Sequence, residues 1–87
     1  MEAKFELGRT MITPGVEALE IGVQGLLRRH ASGDWGDCCP EDVATNESAL
    51  KHGERLFSVY TVAEDTKVWI ITEWDRSVTT ILLPEEY

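Results

Sequence analysis

Leu56-Phe57-Ser58-Val59-Tyr60-Thr61-Val62 marks the point where the hydrophobic pattern of this chain changes to a period of two. Two more such runs follow, Lys67 to Trp74 and Val78 to Leu83, both rich in Val, Ile, Thr or Trp. These residue types and this alternation are those of β-strands. The connections Ala63-Glu64-Asp65-Thr66 and Asp75-Arg76-Ser77 are short and polar, so the three strands are expected as an antiparallel meander. In the middle strand Val68, Ile70 and Thr72 point one way, and Trp69, Ile71 and Glu73 the other. Both faces are partly apolar. One is expected to carry helices; the other is half exposed or covered by a second copy of the chain.

Upstream of the strands the period is helical. Pro40 to His52 reads as a helix, with Pro40 in its first turn, Glu41 and Asp42 behind it, Lys51 and His52 at its end and Gly53 as its stop. Its apolar face is thin: Val43, Ala44, Ala49 and Leu50. Asn46 lies on the inner side, placed to bridge helix to loop backbone at Asp34 or Gly36. Val16, Leu19, Val23, Leu26 and Leu27 recur at three- and four-residue steps, which predicts an earlier helix from about Pro14 to His30, capped by Thr13. Gly22 and Gly25 each cost roughly 1 kcal/mol against Ala inside a helix. They permit close packing on the sheet or mark a break near Gly25. Lys4 to Ile12 alternates loosely and reads as a first strand, weakened or bulged at Gly8. The expected fold is α+β in a single small domain spanning residues 1–87. It has an N-terminal strand, two helices and the three-stranded meander, with the helices on one face.

Between the helices stands His30-Ala31-Ser32-Gly33-Asp34-Trp35-Gly36-Asp37. Gly33 suits the left-handed position after a helix, and Asp34, Gly36 and Asp37 are turn residues. Trp35 does not fit a plain connection. Its indole either folds back as a plug on the core or forms, with the aspartates, an exposed recognition surface. His30, Asp34, Trp35, Asp37, Asn46 and Glu73 are therefore the candidate binding residues.

Composition narrows the function. With 87 residues and 43% hydrophobic content, a packed core is expected. Sixteen acids against eight Lys and Arg give a net charge of −8, which argues against a nucleic-acid binder working through phosphate neutralisation. From Ala31 to Leu50 there is no Lys or Arg, while Asp34, Asp37, Glu41, Asp42 and Glu47 all fall there. Such a segment is a solvated helix start or an acidic face aimed at a basic partner. No apolar run reaches membrane-span length and no signal-peptide layout opens the chain, so a cytoplasmic location is expected. The adjacent Cys38 and Cys39 read as reduced thiols.

Chemical motifs are weak. His30, Asp34, Asp37, Cys38, Cys39 and His52 lack the C-x-x-C or H-x-x-x-H spacing of a metal site, and no cofactor motif is present. His30 reads more simply as a helix-end residue that donates to a carbonyl or to Asp34. Ser32-Gly33 is not a nucleophile elbow. Cys38 near a helix start is a spectator thiol or one activated by a lowered pKa. An enzyme or ligand-binding protein acting at the His30–Asp37 loop would need His30 to converge with at least two of Asp34, Asp37, Glu73 and Asp75.

The loop, together with Glu41-Asp42, Asn46, Ala49-Leu50, Trp69-Ile70-Ile71-Thr72-Glu73, Asp75-Arg76-Ser77 and Thr79-Thr80-Ile81-Leu82-Leu83-Pro84-Glu85-Glu86-Tyr87, resembles a family of small bacterial proteins. Members are often labelled plasmid-related protein or type I restriction endonuclease subunit M. The resemblance covers nearly the whole chain. It implies a cytoplasmic bacterial or mobile-element protein, accessory to restriction or other defence systems, and it brings no catalytic residues. An adenine methyltransferase would need a long cofactor domain and an Asn/Asp-Pro-Pro-aromatic motif; none of the three prolines here adjoins another. The functional expectation is a small acidic accessory protein, non-enzymatic, acting by contact with a protein partner that carries a basic surface. Homodimerisation through the sheet is compatible with it.

Overall fold

A computed structural model describes residues 2–87. The period-two runs form strands β2 (Leu56–Ala63), β3 (Thr66–Thr72) and β4 (Val78–Leu82), each antiparallel to the next. The sheet does not stop there. Strand β1 (Arg9–Ile12) adds to the far side of β4, parallel to it, with Thr10 beside Thr79 and Ile12 beside Ile81. The order is β1-β4-β3-β2, a four-stranded mixed sheet rather than a meander alone. The fold is α+β with three helices.

The first strand is shorter than the alternation predicts, because residues before Gly8 leave the sheet. Gly8 has φ +67° and presses on the β3–β4 turn; a Cβ there would lie 2.4 Å from the Arg76 and Ser77 carbonyl oxygens. Upstream, the Lys4 N–H donates to the Ala31 carbonyl at 2.7 Å, so this segment follows a helix end instead.

The long helix expected from Pro14 to His30 is broken in two. Helix α1 (Pro14–Glu17) and helix α2 (Gln24–Ala31) are separated by a turn in which Glu20 takes φ +54°. Leu19, Ile21 and Val23 of that turn still pack on the core, so the apolar spacing is kept while the helix is not. Gly22 and Gly25 have open space where a Cβ would go, which removes the close-packing reading of both. Thr13 does not cap α1 with its side chain. The Glu86 carboxylate takes that part, accepting from the Gly15 N–H at 3.0 Å and the Thr13 hydroxyl at 2.5 Å.

Helix α3 (Pro40–His52) has the expected bounds and ends at Gly53, φ +66°. The three helices do not share one face. Val16 of α1 and Leu27 of α2 close a core with Tyr60, Val68, Ile70 and Ile81. Helix α3 instead flanks the outer edge of β2, where Ala49, Val43 and Leu50 pack with Trp35 and Leu56. Its anchor is Asn46. The side-chain amide donates to the Phe57 carbonyl at 2.6 Å and accepts from the Phe57 N–H at 3.0 Å, replacing a missing strand. This corrects the expected Asn46 partners, Asp34 and Gly36. Two residues along, the same edge is closed by loop backbone: Val59 N–H to the Trp35 carbonyl at 3.2 Å, and Asp37 N–H to the Val59 carbonyl at 2.7 Å. An exposed strand edge is a template for unwanted pairing, and both devices remove it here.

Gly36 sits where loop and strand touch. Its φ is +69°, and a Cβ would fall 2.0 Å from the Val59 oxygen. Gly36→Ala is therefore expected to lower unfolding stability by at least about 2 kcal/mol. Asn46→Ala strands the Phe57 N–H and leaves its carbonyl only the weak Cys38 thiol donor at 3.4 Å, and is expected to cost about 2–3 kcal/mol. Urea denaturation of both variants beside Thr45→Ala, an exposed control, checks this; a loss within 0.5 kcal/mol, roughly the scatter of surface substitutions, would show that the edge does not depend on them.

Candidate functional site

The His30–Asp37 loop is built into the core. His30 is 0% exposed and bridges two neighbouring strands on one face of the sheet, its Nδ1 at 2.5 Å from the Ser58 hydroxyl and its Nε2 at 2.9 Å from the Thr72 hydroxyl. Thr72 Oγ1 lies 2.7 Å from Thr79 Oγ1, which donates to the Leu7 carbonyl at 2.6 Å. That last bond fixes the others. Thr79 has one hydroxyl proton and spends it on Leu7, so Thr72 donates to Thr79. Thr72 must then accept from His30 Nε2–H, and Nδ1 accepts from Ser58. The imidazole is neutral, with its proton on Nε2. Burial, with the Arg76 guanidinium adding to it, pushes His30 down to about 4. This corrects the expectation that His30 donates to a carbonyl or to Asp34.

Trp35 is 4% exposed, so the exposed-recognition reading of this ring does not hold. The indole stacks near Phe5 (centroids 6.3 Å) and meets the His30 ring edge-on, and its N–H donates to Glu47 at 2.8 Å. Asp34 pairs with Arg29 at 2.8 Å, which holds its carboxyl below the usual carboxylate range, and it also accepts from the Gly36 N–H. Asp37 accepts from the Thr61 hydroxyl at 2.6 Å. Glu73 lies 3.7 Å from Arg55, and Asp75 accepts twice from Ser77. Each of these acids has its own local partner, and none joins His30. Burial raises the Cys38 thiol instead of activating it. Among the described residues no three His, Cys, Asp or Glu side chains are grouped to hold a metal.

Arg76 has a part that sequence did not suggest. In a left-handed conformation (φ +60°), its guanidinium donates to the carbonyls of Ala49, Glu54, Glu73 and Trp74. A cation at the C-terminal end of α3 suits the helix dipole, and it ties that end to the β3–β4 turn.

An accessible concavity lies on the second face of the sheet. Phe57, Trp69 and Ile71 contribute to a groove of about 290 Å³, and Asp42, Thr45 and Asn46 of α3 line it as well. Tyr87 and Arg55 complete the lining. The Trp69 ring receives Phe57 edge-on at 5.1 Å and Tyr87 at 5.6 Å. Arg55 stands over the Tyr87 ring, donates to its hydroxyl at 3.0 Å and faces Glu73. Asp42 carries the rim carboxylate with no partner among the described residues. Of the six sequence candidates, Asn46 lines this groove and Glu73 reaches it through Arg55; His30, Asp34, Trp35 and Asp37 do not. The apolar second face of β3 was a sequence signal for the floor. Nothing local in the sequence points to Tyr87 or Arg55. Neither a histidine nor a cysteine lines the groove, and its few polar groups around an apolar floor suit binding.

The buried imidazole makes stability pH-dependent. Unfolded, it binds a proton near 6.5; folded, near 4. Between those values the unfolded chain holds more protons, so stability is full above pH 6.5 and falls as pH drops towards 4. The loss approaches about 3 kcal/mol. Urea titrations from pH 7.5 to 4 check this, and His30→Gln is expected to flatten that window while lowering stability throughout. A wild-type profile flat over the window would contradict the buried neutral imidazole.

Comparisons with family models, with curated proteins and with solved structures found no match for this chain.

Proposed function

We propose that this chain is a small acidic accessory protein, non-enzymatic, that acts in the cytoplasm by docking a protein partner with a basic surface. The observation that carries the reading is the groove over Phe57, Trp69 and Ile71, an open apolar floor beside the acidic start of α3. Apolar anchors seated in a pocket supply most of the affinity of such contacts. Asp42 at the rim, with Glu41 next to it in the first turn of α3, favours a cationic partner by raising its encounter rate and selecting its charge. The net charge of −8 weighs against direct binding to nucleic acid. Among the described residues no helix is long and apolar enough to cross a membrane. The resemblance to small bacterial plasmid-related proteins agrees with an accessory role in a bacterial or mobile-element setting. A ligand or catalytic site at the His30–Asp37 loop has less support, because its imidazole is sealed and its acids are separately engaged.

Thr45→Arg places a long cationic side chain at the groove from an exposed helix position, and Glu41→Gln/Asp42→Asn removes the rim charge. With folded proteins, capture of a partner from host lysate is expected to fall at least about tenfold for Thr45→Arg. The double variant is expected to retain weaker capture with reduced salt dependence. Equal capture by wild type and both variants would place the interface elsewhere. A wild-type dimer in sedimentation equilibrium that Thr45→Arg dissociates would identify the occupant as a second copy of the chain.

A further inference from the structure

The two edges of the sheet are treated differently. The β2 edge is closed at Phe57 by Asn46 and at Val59 by the loop at Gly36. The β1 edge is open. In a parallel pair alternate residues bond to the neighbour, and Arg9 and Thr13 donate their N–H groups to Ser77 and Ile81. Thr10 and Ile12 therefore turn their N–H and C=O outward, where no described backbone group meets them. All of β1 is exposed, with Met11 at 48% and Ile12 at 43%. It carries no proline and no bulge to protect it.

Beside this edge runs a second groove, of about 560 Å³, between β1 and α2. Thr10 and Ile12 line it from the strand, Leu7 from the segment before it, and Val23, Leu27 and Arg28 from α2 and its start. An open edge strand with a helix-walled apolar groove alongside is the geometry by which a sheet takes up an extended peptide. Backbone bonds to the edge hold such a peptide, and alternate side chains enter the groove. The charge fits one kind of peptide. Arg28 is the one charged residue lining the groove, and Arg9 the one charged residue on the strand. Neither takes part in an ion pair among the described residues. On a chain with twice as many acids as bases this edge is locally cationic. A second copy is disfavoured because each carries −8.

We infer that the β1 edge is a strand-addition site for an extended acidic segment of a partner, paired with Thr10 and Ile12 and seating alternate apolar side chains between β1 and α2. It is separate from the groove over Trp69 and does not depend on it.

The probe is acetyl-Val-Glu-Val-Glu-Val-amide, followed by amide chemical shifts of the folded protein. Saturable binding is expected, with shifts centred on Arg9–Ile12 and Gln24–Arg28. N-methylation of one alternate set of peptide amides is expected to weaken binding about tenfold, and of the other set to leave it nearly unchanged. Thr10→Pro, which removes an N–H that the described fold does not use and the peptide would, should weaken binding similarly. Arg9→Glu/Arg28→Glu should prefer the same peptide with Lys in place of Glu, and Thr45→Arg should bind as wild type does. No binding at millimolar peptide, equal loss from both methylation patterns, or shifts confined to the Trp69 groove would overturn the proposal. So would a wild-type dimer that Thr10→Pro dissociates, since the edge would then belong to a second copy.

Discussion

An imidazole buried on both sides leaves two nitrogens to satisfy, and each left unmet costs about 1–3 kcal/mol. His30 finds its two partners on different strands, Ser58 on β2 and Thr72 on β3. Thr72 passes the chain of bonds to Thr79 on β4, and Thr79 to the Leu7 carbonyl. One line of hydrogen bonds thus joins α2, three strands and the N-terminal segment. Its directions are all determined by the final carbonyl, so a single tautomer satisfies it. It also fixes register, because a one-residue slip of any strand would turn its hydroxyl to the opposite face. No buried side-chain nitrogen or oxygen among the described residues is left without a partner. A polar network inside so small a core is stabilising only when complete, and this one is.

The rest of the loop is arranged around that line. With His30 held on the face of β2 and β3, the chain must leave α2 and meet the β2 edge within a few residues. Gly36 permits the contact, and Trp35 fills the space beside the imidazole. The Tyr60 hydroxyl donates to the Asp34 carbonyl at 2.5 Å, and Arg29 lies over the Tyr60 ring while holding the Asp34 carboxylate. The stretch with the most suggestive chemistry in the sequence is therefore the most heavily employed in folding. Its residue types are those of a binding loop because both tasks call for glycine turns, carboxylate acceptors and an aromatic anchor.

What was legible in the sequence were features with local causes. Helix α3 starts at Pro40 and stops at Gly53 because backbone chemistry dictates it, and the hairpin strands follow from alternation and short turns. What was not legible depends on distant partners. The parallel pairing of Thr10 with Thr79 leaves no trace in either segment alone. The break in the first helix hides because Leu19 and Val23 reach the core either way, and a left-handed Glu20 has no sequence signature. His30 at a helix end looks solvent-facing until hydroxyls 28 and 42 residues away enclose it. For the candidate groove, Trp69 and Ile71 declared an apolar second face; the contributions of α3 and Tyr87 depended on tertiary arrangement.

The same distinction applies to charge. A count of sixteen acids describes the sequence but not the surface. Asp34, Asp37, Glu47, Asp75 and Glu86 are spent on local bonds to Arg29, Thr61, Trp35, Ser77 and the start of α1. They replace caps and strand contacts that a longer chain could supply from backbone, as expected where little core can be buried. The charge left at the surface is consequently uneven. Asp42 stands free at the rim of one groove, and Arg28 is the charged residue in the lining of the other. Asp42 and Thr45, which line the Trp69 groove from exposed positions, take no part in the His30 line, and neither do Arg9 and Arg28. Substitutions there test the proposed docking without touching that line, whereas substitutions in the His30–Asp37 loop perturb the fold first.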